Sequence, residues 1–475
     1  MKAIKYYLFI IIILTTGCSE DFLDLNPPSS PNANAVYKTE ADFQQAVIGI
    51  YDRMQAVYNN LWQFTELRAD NADHLWTGYD AIQRVDQYRM DPADGVLNGM
   101  WLNLYNTIER ANTTLLYLED ADSQALRNSN RHEGEAKFLR GLAYFHLAQI
   151  WGDVPVILDP IGPEEAFDTP QQSQSTVFEQ AISDFSDAAD LLPADYPAGE
   201  IGRATSGAAK SMLGKTYLAV DNFSAAEPVL ADVMDMGYEL LPDFNDVFDH
   251  MNEHHAEYIF DIEYEPDLSG EGSIFTNRFI PNNPELRDHF SIGGGSQETL
   301  SPTAEFMSLY EIGDNRRAIT ADTGFVQSSG EFFKTNHSFT SKYITPVLAE
   351  NDSRANWKVT RFADVILMYA EALNENGKTE EAIEELNRIR VRADASLYPA
   401  TLSQAEVRDA ISLERRLELA FEGHRWYDLV RTGKAIEVLT AKEYNIQPHM
   451  TLFAKPQQQL DVVNDPQVFS QNQGY

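Results

Sequence analysis

The sequence predicts a mostly α-helical protein whose helices are arranged as antiparallel hairpins. In residues 361–393, two successive runs place apolar residues three and four positions apart, which is the spacing of one helix face. Between the runs, Asn376-Gly377 offers the positive φ that ends a helix, and the hydroxyl of Thr379 is expected to cap the next one. Two amphipathic helices joined by so short a turn pack antiparallel.

A second segment repeats this arrangement around a turn at Asp221-Asn222. Small residues stand twelve positions apart in both segments, at Ala370 and Ala382 in one and at Gly214 and Ala226 in the other. Such a degenerate repeat fits the tetratricopeptide pattern, in which each helix pair buries its apolar face against its neighbours. The sequence therefore predicts a tetratricopeptide-like helical-hairpin scaffold.

Three more helices are predicted toward the amino terminus, over residues 41–58, 96–118 and 134–151. The third of these helices ends at Gly152, because Pro155 prevents its continuation.

Two regions lack helical periodicity. Residues 62–92 are polar and aromatic, whereas residues 266–353 are rich in Gly, Asn, Ser and Phe, contain short β-like runs, and follow a predicted strand at 257–264. Variable loops on a rigid scaffold often carry binding residues. We therefore expect an irregular, loop-rich ligand-binding side with a few short strands.

Composition limits the function classes. The chain has 475 residues, 43% of them hydrophobic, which is enough to bury a large core. A formal net charge of -37 argues against nucleic acid or anionic lipid as a partner, because both require a cationic surface.

The amino terminus has the features of a lipoprotein signal. Lys2 and Lys5 precede an apolar run at residues 8–14, and the small residues 15–17 stand directly before Cys18, the single cysteine. A cysteine at this position is the residue that receives acyl chains, so Cys18 is the predicted lipid anchor. The alternative is an ordinary secretory peptide whose cleavage site contains a cysteine.

We expect a signal peptide at residues 1–17, a tether rich in Pro, Asn and Ser at 18–35, and a single domain at 36–475. The domain is divided by composition into an N-terminal part at 36–265, a variable loop-rich part at 266–353 and a C-terminal helical part at 354–475.

Four long stretches carry a family resemblance: GEAKFLRGLAYFHLAQIWGDVP at 134–155, RATSGAAKSMLGKTYL at 203–218, RFADVILMYAEALNE at 361–375 and ERRLELAFEGHRWYDLVRTG at 414–433. With the Cys18-x-x-Asp21 start and the terminal QNQGY, they resemble the SusD/RagB family of outer-membrane nutrient-binding lipoproteins, from end to end of the chain.

The resemblance implies a non-enzymatic, palmitate-bearing protein on the outer surface of the cell outer membrane. It would bind oligosaccharides and pass them to a SusC-like TonB-dependent transporter. Two alternatives stay open: a RagB-like protein that binds peptides, and a tetratricopeptide adaptor that grips a peptide in its concave face.

A glycan site without catalysis needs aromatic faces for sugar rings and amides, carboxylates or Arg for hydroxyl groups. The irregular segment offers Trp76 and Tyr79 beside Asp70, Asn71 and Asp73, and these five are the first candidate ligand-binding residues. The alternative is that both aromatic side chains are simply buried beneath the loop.

Phe275, Asn277 and Arg278 form a second candidate cluster for the ligand. The alternating Phe275 and Phe279 also describe a half-buried strand, which is the competing interpretation.

Catalysis has weaker support. His250, Glu253 and His254 match the H-x-x-E-H zinc-peptidase pattern, but that pattern requires a helix, and turn-forming residues surround it here. Among 73 acidic residues, no pair stands out as a glycosidase pair. We predict no catalytic residue, no metal ligand and no cofactor, and a structural calcium ion stays open.

The charged run from Glu414 to Arg425 could be a catalytic cluster or an ion-pair network that joins helices. We favour the ion-pair network.

Overall fold

The computed structural model describes residues 37–75, 78, 80–121, 126–268 and 270–475. The predicted signal, the tether with Cys18, and the candidate residues Trp76 and Tyr79 lie outside these residues.

Helices dominate the described chain. Those of the N-terminal part are α1 (Glu40–Thr65), α2 (Asp80–Asp86), α3 (Gly95–Asp120), α4 (Ser129–Trp151), α5 (Pro163–Asp168), α6 (Gln174–Leu191), α7 (Ser206–Ala219) and α8 (Phe223–Met234). The loop-rich part holds the short helices α9 (Phe275–Phe279), α10 (Pro284–Phe290), α11 (Ala304–Ser308) and α12 (Arg317–Thr320). The C-terminal part contributes α13 (Phe362–Glu375), α14 (Thr379–Arg392), α15 (Gln404–Glu418), α16 (Arg425–Arg431), α17 (Ala435–Ala441) and α18 (Gln457–Val463).

The long helices stack as antiparallel neighbours. α1 packs on α3, α3 on α4, α4 on α6, α6 on α7 and α7 on α8. α8 then packs on α13, which contacts both α14 and α15. One continuous apolar core runs through this stack. The predicted tetratricopeptide-like scaffold is confirmed, because each helix buries its apolar face on the next.

The central hairpin forms as predicted, with one correction. Ala370 and Ala382 are both fully buried, and Gly377 has a φ of 82°. The prediction that Thr379 caps the second helix is wrong. Lys378 is the N-cap residue, and its side chain makes no capping hydrogen bond. The amide of Lys378 donates to the Leu373 carbonyl at 2.8 Å, so the turn is too tight to leave Thr379 outside the helix.

Two other helices show why their boundaries fall where they do. At the start of α1, Thr39 and Asp42 form a capping box, in which the Asp42 carboxylate accepts from the Thr39 amide at 2.7 Å. At the end of α4, Gly152 has a φ of 74° and stops the helix where the sequence predicted.

The strands are short and paired two by two: β1 (Ala72–Asp73) with β5 (Ser301–Pro302), β2 (Val154–Pro155) with β3 (Gln171–Gln172), β4 (Tyr258–Ile262) with β8 (Trp357–Arg361), and β6 (Asp322–Val326) with β7 (Phe332–Phe339). All four pairs are antiparallel. The predicted strand at 257–264 is confirmed as β4.

Two predictions around the irregular regions need correction. α1 continues to Thr65, past the predicted end at Tyr58. The segment from Phe275 to Phe279 is a helix, so the half-buried strand is wrong there. Burial of both phenylalanines in the main core decides the outcome, since a single helical turn also places residues four apart on one face.

The charged run of the C-terminal part lies in a buried ion-pair network, which confirms the structural interpretation. Arg361 of β8 ion-pairs with Glu257, Glu418 and Glu422 at 2.5, 2.7 and 2.7 Å. Burial acts to raise the pKa of Glu418, but three neighbouring guanidinium groups outweigh burial and hold this pKa well below its usual value.

None of the helices in the described ranges combines the length and apolarity that crossing a bilayer requires.

Candidate functional site

The chain that follows α1 is fixed to the loop-rich part by backbone hydrogen bonds. β1 pairs with β5 in the register Ala72↔Pro302, and the amide of Leu75 donates to the Glu298 carbonyl at 3.2 Å. At the other end of β1, the Thr303 amide donates to the Asn71 carbonyl at 2.9 Å. The predicted ligand-binding segment therefore leaves the scaffold from a rigid base.

The same stretch of chain also joins the second predicted cluster. The Gln297 amide donates to the Asn277 carbonyl at 2.9 Å, and the Thr299 amide donates to the Arg278 carbonyl at 2.9 Å. Residues 297–302 thus lie between the two clusters that the sequence singled out. The structure brings these clusters together although they are some 200 residues apart.

We call the exposed edge of this junction the rim and define it by Asp73, Leu75, Asn282, Glu298 and His337. Leu75 is 37% exposed, Asn282 is exposed, and the His337 side chain is 45% exposed. The Glu298 carboxylate accepts from the Asn282 amide at 2.8 Å and lies 3.2 Å from His337 Nδ1. Carboxylate, amide and imidazole groups around an apolar side chain can hydrogen-bond a hydroxylated ligand.

Glu298 has a φ of 47°, a left-handed conformation that is uncommon outside glycine. Its carboxylate holds the neighbouring Asn282 backbone and the His337 ring at once. Such a conformation persists only where the surroundings fix it, so the rim is a preorganised surface.

Asp70 and Asn71 lie beneath the rim and not on it. Asp70 is 1% exposed and ion-pairs with Arg425, Lys442 and Arg416 at 2.7, 2.8 and 3.0 Å. Burial acts to raise the pKa of Asp70, but these cations outweigh it and hold the pKa well below its usual value. Asn71 is fully buried and accepts from Arg416 Nε at 2.8 Å. Both side chains hold the base of the rim, and ligand contact by either of them stays a prediction.

Asp73 is half-buried and close to a second carboxyl group. Tyr444 donates to its Oδ1 at 3.3 Å, and burial raises the pKa of Asp73. Burial and the neighbouring charge of Asp73 raise the pKa of Asp86 to about 7, although a hydrogen bond from the backbone N–H of His74 acts to lower this pKa. Asp73 of the rim and the neighbouring Asp86 are therefore two carboxyl groups of raised pKa.

In the second cluster, Phe275 is fully buried among the rings of Tyr264, Tyr343 and Trp357. Asn277 is also fully buried, and its amide donates to the carbonyls of Gly293 and Gly295 at 2.9 and 2.7 Å. These contacts give both side chains a structural role.

Arg278 is the member of that cluster nearest solvent. It is half-buried and donates to the side chain of Gln297. This contact orients the guanidinium toward the stretch of chain that carries Glu298.

The H-x-x-E-H stretch forms turns, as predicted, and not a helix. His254 hydrogen-bonds Glu263, whereas His250 lies 3.9 Å from Asp249. Throughout the part of the chain that the structure describes, no three His, Cys, Asp or Glu side chains are grouped to hold a metal ion.

Sequence reasoning missed Asn282, Glu298, His337 and Tyr444. Each lies more than 200 residues from β1 along the chain and reaches the rim only through the fold. The helical periodicity that identified the scaffold carries no information about such loop residues.

Comparison with known proteins identifies sequence families and relatives that this chain resembles. A sequence model described as the SusD family matches residues 326–471, and another, described as starch-binding associating with outer membrane, matches residues 21–218. A SusD-like protein of Formosa agariphila is 28% identical over 100% of both chains.

Solved structures agree in fold. A laminarin-binding SusD-like protein is 27% identical, with a TM-score of 0.78 over 92% of this chain and 100% of that chain. A SusD superfamily protein from Bacteroides vulgatus is 26% identical, with a TM-score of 0.78 over 92% of this chain and 99% of that chain. The matched segments, the shared length and the common fold show that the chain belongs to the SusD/RagB family.

Proposed function

We propose that this chain is a non-catalytic lipoprotein of the cell surface that binds oligosaccharides and passes them to a SusC-like TonB-dependent transporter. The similarity to a laminarin-binding protein over nearly the whole chain supports a glycan as the ligand. The description of the second matching family, which associates its members with the outer membrane, supports the location.

The observation that carries the proposal is the construction of the rim. Buried cations fix Asp70, and backbone hydrogen bonds fix residues 71–75 to residues 298–303. Trp76 and Tyr79, the aromatic candidates, directly follow this fixed segment in the sequence. A rigid base with aromatic residues attached is what a sugar site needs, because a preorganised site loses less entropy on binding.

Binding should be of modest affinity. Each sugar hydroxyl exchanges hydrogen bonds with water for hydrogen bonds with the protein, so the net gain per contact is small. Modest affinity also suits a protein that must release its cargo to a transporter.

The test is affinity electrophoresis of Trp76→Ala and Tyr79→Ala in gels that contain laminarin, starch or other polysaccharides. We expect the wild type to be retarded by at least one polysaccharide and each variant to lose most of that retardation, about tenfold in affinity, since stacking on an aromatic ring is removed. Phe167→Ala is the matched control, because Phe167 is an exposed aromatic on α5 and lines a cavity whose lining includes no rim residue.

Unchanged retardation in both variants would refute the site. Release of new reducing ends during incubation with a retarding polysaccharide would refute the non-catalytic role.

Lipid anchoring is tested separately. Cells that express the wild type should incorporate labelled palmitate into the protein, and Cys18→Ala should abolish the label, since Cys18 is the single cysteine. Equal labelling of both proteins would contradict the anchor.

A further inference from the structure

We propose that a second cavity, separate from the rim, binds one neutral sugar ring. The cavity has a volume of about 210 Å³ and lies between α1, residues 199–203 and the end of β4. A single hexose is of this size class. The choice of a sugar over other neutral polyols rests on the proposed function.

Two residues of the cavity lining, Asp261 and Gln55, each carry a buried acceptor atom without a partner in the described chain, which points to a ligand that donates hydrogen bonds. Asp261 is 4% exposed; its Oδ2 accepts from Lys358 Nζ at 2.6 Å, whereas its Oδ1 has no hydrogen-bond partner among the described residues. Gln55 donates through Nε2 to the Glu263 carbonyl at 2.9 Å, and its Oε1 is likewise without a partner in the described chain. Buried acceptors left without a donor are rare and unfavourable, so hydroxyl groups of a ligand would stabilise both.

The charges around the cavity point to a neutral ligand. Four charged side chains line it, and each has an opposite partner: Glu200 with Arg131 at 2.6 Å, Arg203 with Glu135 at 2.8 Å, Asp261 with Lys358 at 2.6 Å, and Glu263 with His254. In a chain of net charge -37, such local balance leaves little attraction for a cation. A hydroxylated neutral molecule satisfies the acceptors without an added charge.

The outer walls offer apolar surface. Ile48 and Ile201 are 41% and 46% exposed, and Tyr51 lies beside them in the lining. The C–H face of a sugar ring can pack on such side chains while its hydroxyl groups face the acceptors.

The loop at residues 199–203, which forms one wall of the cavity, lies close to the end of β4. Gly202 has a φ of 103°, and a Cβ added there would come within 2.5 Å of the Glu263 carboxylate. A glycine is therefore required at this position, and it keeps the loop flush against the end of β4.

The cavity and the rim are distinct sites. Gln55 precedes the last residue of α1, Thr65, by ten positions, which corresponds to about 15 Å of helix, and the rim begins only after that end. A ligand in one site does not block the other.

The experiment is saturation-transfer NMR on the intact protein with methyl β-D-glucopyranoside and methyl β-D-galactopyranoside as probes. We expect at least one of them to bind with a Kd on the order of millimolar, as a ligand of so few atoms allows. Asp261→Asn should weaken binding at least tenfold. The Lys358 ammonium keeps the Asn carbonyl facing it, so a neutral amide NH₂ would face the ligand in place of the carboxylate oxygen, and the stronger charge-assisted hydrogen bond from a ligand hydroxyl would be lost.

A second variant tests the cavity independently, in case Asp261→Asn does not fold. Ile201→Trp, at an exposed position, should block the cavity and abolish the signal, whereas Ile312→Trp, at a fully exposed position outside the cavity, should leave it unchanged. Binding that survives Ile201→Trp, or a wild type that binds neither probe up to about 20 mM, would overturn the proposal.

Retardation by polysaccharides is measured on the same proteins. If Asp261→Asn and Ile201→Trp lose the glycoside but keep the retardation, the two sites are separate, as proposed. A wild type that is retarded but binds no glycoside refutes the cavity alone, and one that binds a glycoside in the cavity but is retarded by no polysaccharide refutes the rim alone.

Discussion

The C-terminal helical part and the loop-rich part of the chain are stabilised in different ways. Residues 354–475 include three helices of 14 or 15 residues, α13, α14 and α15, that bury broad apolar faces in the main core. Residues 266–353 form helices of four to seven residues and short strand pairs, too short to be stable alone, with a small satellite core that includes Ile280, Phe325 and Phe339.

The loop-rich part packs apolar side chains such as Phe275, Phe306 and Tyr343 into the main core, and it also inserts charged side chains into its neighbour. Arg316 is fully buried and ion-pairs with Glu414 and Glu418 of α15 at 2.5 and 3.1 Å. Lys342 donates to the Ala420 carbonyl at 2.9 Å and to the Glu422 carboxylate at 2.7 Å. The comparison teaches that the scaffold folds by apolar periodicity, whereas the loops are positioned by scattered apolar contacts with the main core together with a few buried ion pairs.

The largest effect is expected at Arg361. Its partners Glu418 and Glu422 also pair with Arg316 and Lys342 of the loop-rich part. Arg361→Met should lower the free energy of unfolding by about 3–5 kcal/mol, because it leaves buried carboxylates without their central cation. Denaturant unfolding followed by circular dichroism measures this loss. The control is Arg408→Met, whose ion pair with Glu375 is half-exposed and should contribute about 1 kcal/mol or less. Equal losses in both variants would show that the buried network has no special role.

A smaller and more local effect is expected from Lys342→Met. The loss of its bonds to α15 and the following turn should cost about 2–3 kcal/mol, and amide hydrogen exchange should rise in residues 317–347 more than in the α13–α14 hairpin. Lys334→Met, at an exposed position of β7, is the control and should change neither. Uniform acceleration of exchange over the whole chain would contradict local anchoring by Lys342.

The third effect depends on pH and vanishes in acid. Burial raises the pKa of Glu66 to about 7, above its ordinary 4.5, although its Oε1 accepts from the Gly423 amide at 2.7 Å. A raised folded pKa means that this carboxyl group favours folding below pH 4.5, and this contribution is lost as the pH rises to about 7. Glu66→Gln keeps the acceptor, so it should be more stable than the wild type at pH 8, by up to about 3 kcal/mol, and similar to it at pH 4.

Thermal unfolding at a series of pH values gives this difference. Glu331→Gln, at an exposed position, should follow the wild type throughout. A Glu66→Gln protein that is less stable than the wild type at pH 8 would show that the ionised carboxylate is needed.

Local sequence determined the helices, because the information lies within one turn of chain. Spacing of three and four residues, Gly152 at a helix end and Gly377 in a turn were sufficient to place α4, α13 and α14. The predicted cap at Thr379 failed because the turn is one residue tighter than expected, so Lys378 is the N-cap residue. Helical periodicity does not report the length of a turn.

Only the tertiary structure decided what lies at the rim and in the cavity. Leu75 meets Glu298, and Gln55 meets Glu263, through contacts between residues more than 200 positions apart, which no local pattern encodes. Asp70 illustrates the difference: by composition it is a polar loop residue suited to a ligand, and only its three cationic partners show that it holds the base of the site. The sequence by itself determined the scaffold and its family, whereas long-range packing determined which polar side chains are exposed to a ligand and which are already paired.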